Sequence, residues 1–182
     1  MPSFILESKR LLLRPPSLGD VADIASLIGD WDVAKNLSRA PFPYLPEHAL
    51  DFIRRQEDGR ARATDFAFAV TRREDGALIG MCGVHLREEG FELGYWLGKP
   101  YWKKGYATEA TAEVLAFSFR NLRAETVEAG WFHDNPASGR VLEKLGFRRV
   151  GSSPKPCVAR GEAVLCNLVA MSRAAFGQRN AA

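Results

Sequence analysis

Apolar positions recur with two periods along this chain, and each change of period marks an element. Leu11 to Arg14 reads as a short apolar strand ended by Pro15-Pro16. Ser17 to Asp20 resembles a capping box, with Asp in the place of Glu or Gln, and opens a helix to about Ile28. Trp31 to Tyr44 carries prolines at 41 and 43 and reads as irregular. Pro46 suits a first helical turn, and a second helix runs from there to about Glu57. Phe66, Phe68 and Val70 alternate with alanines, which predicts a strand. Asp75-Gly76 is a tight-turn pair, Leu78 to Leu86 returns as a strand, Glu88 to Gly90 turns again, and Phe91 to Leu97 forms the next strand.

The period then lengthens. Ala107, Ala110, Val114 and Phe117 recur at steps of three and four, predicting a helix from Gly105 to about Leu122. Thr126 to Phe132 is a strand, Asn135 to Leu145 a short helix stopped by Gly146, and Phe147 to Val150 and Val164 to Met171 finish the sheet. The consecutive hairpins make the first half antiparallel. The strand–helix–strand unit from Phe91 to Phe132 implies a right-handed crossover and two neighbouring parallel strands. The expectation is an α+β fold with a mixed, mostly antiparallel sheet of about seven strands and about four helices, forming a single domain over 1–182 with its core at about 9–173.

Composition narrows the class. With 46% hydrophobic and 26% charged residues, the chain has an ordinary globular balance. Its net charge of +3 is mildly basic, and no basic block suggests a nucleic-acid arm. Cys82, Cys157 and Cys166 have neither metal-ligand nor disulfide spacing, which suits a reducing cytoplasm. Glu7 and Lys9 flank a short apolar run unlike a signal peptide, and no stretch reaches the ~20 apolar residues of a membrane span. The expectation is a cytoplasmic protein, monomer or homodimer, with no metal, nucleic-acid or membrane partner.

Candidate chemistry concentrates at the start of the long helix. The segment FELGYWLGKPYWKKGYAT leads a strand through a short loop into a helix N-terminus. Free N–H groups and the helix dipole make such a place suited to a diphosphate. Gly105 permits close backbone approach, Ala107 keeps the next turn small, and Lys103 and Lys104 add positive charge. The loop has neither the GxxxxGK[ST] nor the GxGxxG spacing of nucleotide sites. A glycine that starts a helix beside two solvated lysines is the structural alternative. Asn135-Pro136 is a good helix start, with Ser138 in its first turn.

Together, YWKKGYATEA and NPASGRVLEKLGF resemble the GNAT superfamily of acyl-CoA-dependent N-acetyltransferases, and within it the branch that acetylates ribosomal-protein N-termini. LLLRPPSLGDVADIASLI resembles that branch's first strand and helix, so the resemblance extends from about Leu11 to Met171. It implies an acetyl-CoA site between splayed strands at 91–97 and 126–132. Backbone groups near Trp96 and Leu97 would hold the pantetheine arm, and Lys103, Lys104, Gly105, Tyr106, Ala107 and Thr108 the pyrophosphate. Trp102 and Ala107 depart from the superfamily loop in a way common in this branch. Leu142 stands where many superfamily members place a tyrosine acid, so the resemblance moves that role to Ser138, with Asn135 beside it.

Amine acetylation needs a base for the ammonium proton, N–H donors for the oxyanion and a proton for the departing thiolate. Glu92 is the expected base, acting through a water. Glu109 suits the helix dipole better than catalysis. His85 and His133 are further candidate bases at strand ends, and Asp134 a candidate attractor of the amine. Trp31, Phe42 and Tyr44 are candidates for shaping the acceptor pocket. The expected acceptor is a protein N-terminus. A polyamine or aminoglycoside is the alternative substrate, and a non-catalytic acyl-CoA sensor is the alternative function.

Overall fold

The computed structural model describes residues 4–88 and 90–180. Eight strands form one sheet: β1 (Leu6–Glu7), β2 (Leu11–Arg14), β3 (Asp65–Arg72), β4 (Leu78–Arg87), β5 (Gly90–Leu97), β6 (Thr126–Phe132), β7 (Arg148–Cys157) and β8 (Glu162–Ser172). Their spatial order is β1-β2-β3-β4-β5-β6-β8-β7. Every neighbouring pair is antiparallel except β5–β6, which is parallel. The expected α+β class and central parallel pair are both present. The turn expected at Glu88 to Gly90 includes Glu89, which lies outside the described residues; Glu88 is in a turn and β5 begins at Gly90.

Helices α1 (Val21–Ile28) and α3 (Pro46–Ala61) cover one face of the sheet, and α4 (Tyr106–Arg120) covers the other. Phe66, Phe68 and Val70 on β3 face the α4 side, against Val114 and Phe117. Ala67 and Ala69 point the opposite way and are equally buried, beneath Ala49 and Ile53 of α3. The alternation of the sequence thus separates large from small, not buried from exposed. Small side chains let α3 lie close to the strand.

Three elements exceed the sequence expectation for physical reasons. The chain between Trp31 and Tyr44 contains a short helix, α2 (Trp31–Ala34), started by Asp30, whose carboxylate accepts from the Asp32 N–H at 2.8 Å. β7 runs on through Pro154 and Pro156 because it is the edge strand, where a missing N–H costs no ladder bond. α5 (Pro136–Lys144) is the short helix expected after Asn135, and a further helix, α6 (Arg173–Asn180), brings the α-helices among the described residues to six, against about four expected.

The capping box at Ser17 forms as read. Asp20 accepts from the Ser17 N–H at 2.7 Å and from its hydroxyl at 3.1 Å, and takes a bidentate pair from Arg14 at 2.6 and 2.8 Å. Asp20 is only 4% exposed. Burial pushes its carboxyl up, but Arg14 and Ser17 outweigh burial and hold it below the usual range.

Candidate active site

The centre of the sheet is open. β5 and β6 pair only at Phe91–Val127 and Glu92–Glu128, yet β5 continues to Leu97 and β6 to Phe132. Beyond Glu92 the parallel ladder ends. Gly94 and Gly130, each in mid-strand, are exposed. The backbone groups of these stretches that would have joined the two strands must find partners elsewhere. An extended chain carrying amides, such as a pantetheine arm, fits that gap as a strand would.

The loop before α4 closes one end of the gap. Gly105 caps α4 at φ +80°, a left-handed conformation that glycine adopts without strain. Tyr106, Ala107 and Thr108 follow as the first turn, whose N–H groups have no intrahelical partner. All three line the cleft, as do Lys103 and Gly105. Lys104 does not line it. Its carbonyl accepts from the Arg10 guanidinium at 3.0 Å and its ammonium lies over the Tyr101 ring.

Arg10 was not legible in the sequence as a site residue. It stacks over Tyr106 at 4.4 Å and pairs with Glu109 at 2.6 Å. Glu109 also accepts from Ser8 at 2.7 Å and the Arg10 N–H at 2.8 Å. Burial raises the Glu109 carboxyl, and these donors more than reverse it, so it stays ionised. Glu109 is therefore structural, anchoring the loop to the β1–β2 turn. Trp102 has a role too: its indole N–H donates to the Leu97 carbonyl at 2.7 Å, bracing the loop against β5. Leu97 and Trp96 both line the cleft.

On the other side of the gap, Asn135 caps α5, its side-chain oxygen accepting from the Ser138 N–H at 3.4 Å. Ser138 faces Tyr95 of β5. Their hydroxyl oxygens are 2.8 Å apart, and the Tyr95 hydroxyl donates within reach of the Ser138 carbonyl at 2.9 Å. Burial pushes the Tyr95 phenol well up, so it keeps its proton. Tyr95 was missed because forty-three residues separate it from Ser138 in sequence. Leu142, where the resemblance looked for a tyrosine, is fully buried in the core.

Glu92, Gly94 and Trp96 turn to the opposite face, towards α3. Glu92 is engaged by Arg87 at 2.6 Å in a pair exposed on both sides. Cross-strand from Glu92 stands His85. Its Nδ1 lies 2.5 Å from Asp65 of β3, whose other carboxylate oxygen accepts from Thr64 at 2.8 Å. Burial raises the Asp65 carboxyl, but His85 and Thr64 bring it below its usual range. Tyr44 lines the cleft, its phenol pushed by burial up to about 12. Trp31 and Phe42 do not line it; their rings pack edge-to-face at 5.0 Å. Asp134 is held by Arg160 in a bidentate pair, and His133 is exposed.

A parted parallel strand pair with a helix N-terminus at one end and an acceptor cleft across the sheet defines an acyl-CoA-dependent transferase. The acetyltransferase (GNAT) domain family matches residues 10–148, and the chain belongs to that family. It is similar to the uncharacterized N-acetyltransferase p20 of Bacillus licheniformis, at 30% identity over 149 residues covering 80% of this chain and 83% of the relative. The fold is shared with the ribosomal-protein-S5-alanine acetyltransferase of Vibrio fischeri, with TM-score 0.81 and 19% identity over 93% of this chain and 97% of that one. It is shared too with the microcin C7 self-immunity acetyltransferase MccE, solved with acetyl-CoA and AMP, with TM-score 0.80 and 18% identity over 94% of this chain and 97% of that one. The protein is an acetyl-CoA-dependent N-acetyltransferase. No helix among the described residues is long and apolar enough to cross a membrane.

Proposed function

We propose that the acceptor is the N-terminal amine of a peptide or protein, acetylated by direct attack on the thioester. The observation that carries this reading is the charge of the cleft. It has a volume of about 1630 Å³ and is lined by six acidic and eight Lys or Arg side chains. A site for a polyamine or aminoglycoside needs an acidic excess to hold several cationic groups. A peptide brings one ammonium and then neutral amides. The Vibrio fischeri neighbour acts on a protein, which agrees with this choice.

In this reading the free N–H groups of Tyr106, Ala107 and Thr108 hold the pyrophosphate of acetyl-CoA, with Gly105 giving it access and Lys103 and Lys104 adding charge. Backbone groups near Trp96 and Leu97 hold the pantetheine arm. Bound acetyl-CoA supplies an activated acyl group, so no enzyme nucleophile is needed. Asn135 sets the first turn of α5, and Ser138 presents its hydroxyl to the leaving sulfur, backed by Tyr95. Glu92 draws the ammonium towards the sheet opening, and Tyr44 lines its path.

Thiol release from acetyl-CoA, measured against a panel of peptides, polyamines and aminoglycosides, tests the assignment. Turnover with free-amine peptides, abolished by blocking their N-termini, is the expected result. Turnover confined to polyamines or aminoglycosides would overturn it.

A further inference from the structure

We infer that His85, oriented by Asp65, is the group that takes the proton from the acceptor amine. The inference rests on amine acetylation and is independent of which amine is used.

The arrangement begins with a helix that comes unusually close. A Cβ built at Gly59 of α3 would lie 2.4 Å from the Asp65 carboxylate. Only glycine at this position leaves the carboxylate its place. The carboxylate is then fixed from two sides, with Thr64 on one oxygen and His85 Nδ1 on the other. An ionised carboxylate can only accept, so Nδ1 must carry the proton. The neutral imidazole therefore keeps its lone pair on Nε2, the nitrogen turned from Asp65. His85 is a partly exposed lining residue of the cleft. This is the way a histidine base is held in a chosen tautomer by a fixed carboxylate.

Position argues in the same direction. His85 and Glu92 are direct cross-strand partners, which places their Cβ atoms about 5 Å apart on one face. Glu92 begins the stretch where β5 and β6 part, so His85 stands one strand from the opening. Arg87 already engages Glu92. The charged and titratable groups around His85 are Asp65 on β3, Arg87 on its own strand and Glu92 on β5, with His48, Asp51 and Arg55 of α3 lining the same cleft.

The step balances without a further reactant. His85 Nε2 accepts one proton from R–NH3+, leaving R–NH2 and an imidazolium paired with Asp65. The amine lone pair forms the C–N bond at the thioester carbonyl. The C–S bond breaks, and the amine's second proton leaves with the sulfur as the free thiol. The imidazolium returns its proton to water. His85 is thus the catalytic residue and Asp65 a positioning residue, with Glu92 left to attract the cation.

Four variants and a spectrum test this. His85→Gln should lower kcat by ~10²-fold and Asp65→Asn by a comparable factor, while acetyl-CoA affinity by calorimetry stays at the wild-type value. The wild-type kcat profile should carry an acidic limb, and His85→Gln should remove it. Added imidazole should partly restore His85→Ala. The 15N spectrum of the free protein should show His85 protonated at Nδ1, and Asp65→Asn should disturb that tautomer. Wild-type kcat in His85→Gln, or an acidic limb removed by Glu92→Gln and not by His85→Gln, would overturn the inference. So would an Nε2-protonated His85. A wild-type protein that acetylated no amine would defeat the transfer reading instead, and the tautomer, read without either substrate, would still decide the dyad.

Discussion

Tyr95→Phe removes one hydroxyl and leaves the ring's packing intact, so it isolates the contact between β5 and α5. The Tyr95 hydroxyl has one proton and two acceptors in range, the Ser138 hydroxyl oxygen at 2.8 Å and its carbonyl at 2.9 Å. Losing a neutral, partly buried hydrogen bond costs about 1 kcal/mol of stability. For a chain of 182 residues that is a fall of roughly 2–4 °C in Tm. A purely structural contact would show that fall and nothing else. If Tyr95 supports Ser138 at the leaving sulfur, kcat falls as well, by about 10- to 100-fold, or roughly 1.4–2.7 kcal/mol. Ser138→Ala should lose a similar factor with acetyl-CoA affinity little changed. The double variant decides the matter. Two groups acting as one unit give a double variant no worse than the poorer single, whereas independent groups multiply. The assay is thiol release at saturating acetyl-CoA and acceptor, with calorimetry for cofactor affinity and thermal unfolding for stability. Unchanged kcat in Tyr95→Phe, or fully multiplicative losses, would refute the coupling.

Two further outcomes follow from the loop and the capping box. Gly105→Val places a β-branched residue at φ +80°, and acetyl-CoA binding by calorimetry should weaken ~5- to 30-fold because the strain of about 1–2 kcal/mol falls on the loop itself; wild-type affinity would detach the loop from cofactor binding. Asp20 has a folded pKa below its unfolded value, so its stabilising effect is present above the unfolded carboxylate range, near ~3.9, and is lost as pH falls through the lower folded value. Asp20→Asn should accordingly lower Tm at pH 7 and flatten the acid limb of the stability profile, and an unchanged acid limb would refute the account.

Much of the fold follows from local pattern. The switch from period two to period three or four places β3 to β5, α4 and β6 within a few residues, because each element's apolar face is written in its own spacing. The elements misjudged are those where context overrides propensity. β7 carries two prolines that a central strand would refuse, and only its place at the sheet edge admits them. α3 runs on past Glu57 through Gly59, because that glycine is needed against Asp65 rather than for the helix.

The site divides along the same line. The sequence alone pointed to the class of chemistry through a family resemblance carried by a glycine loop before a helix and an Asn-Pro helix start with Ser138, short-range features whose backbone consequences do not depend on the rest of the chain. Only the tertiary structure decided who works with whom. Tyr95 meets Ser138, Arg10 meets Glu109 and His85 meets Asp65 across separations of 43, 99 and 20 residues. No local pattern records such pairings, because they are set by strand order and register. The parting of β5 from β6 after Glu92 belongs to the sheet as a whole.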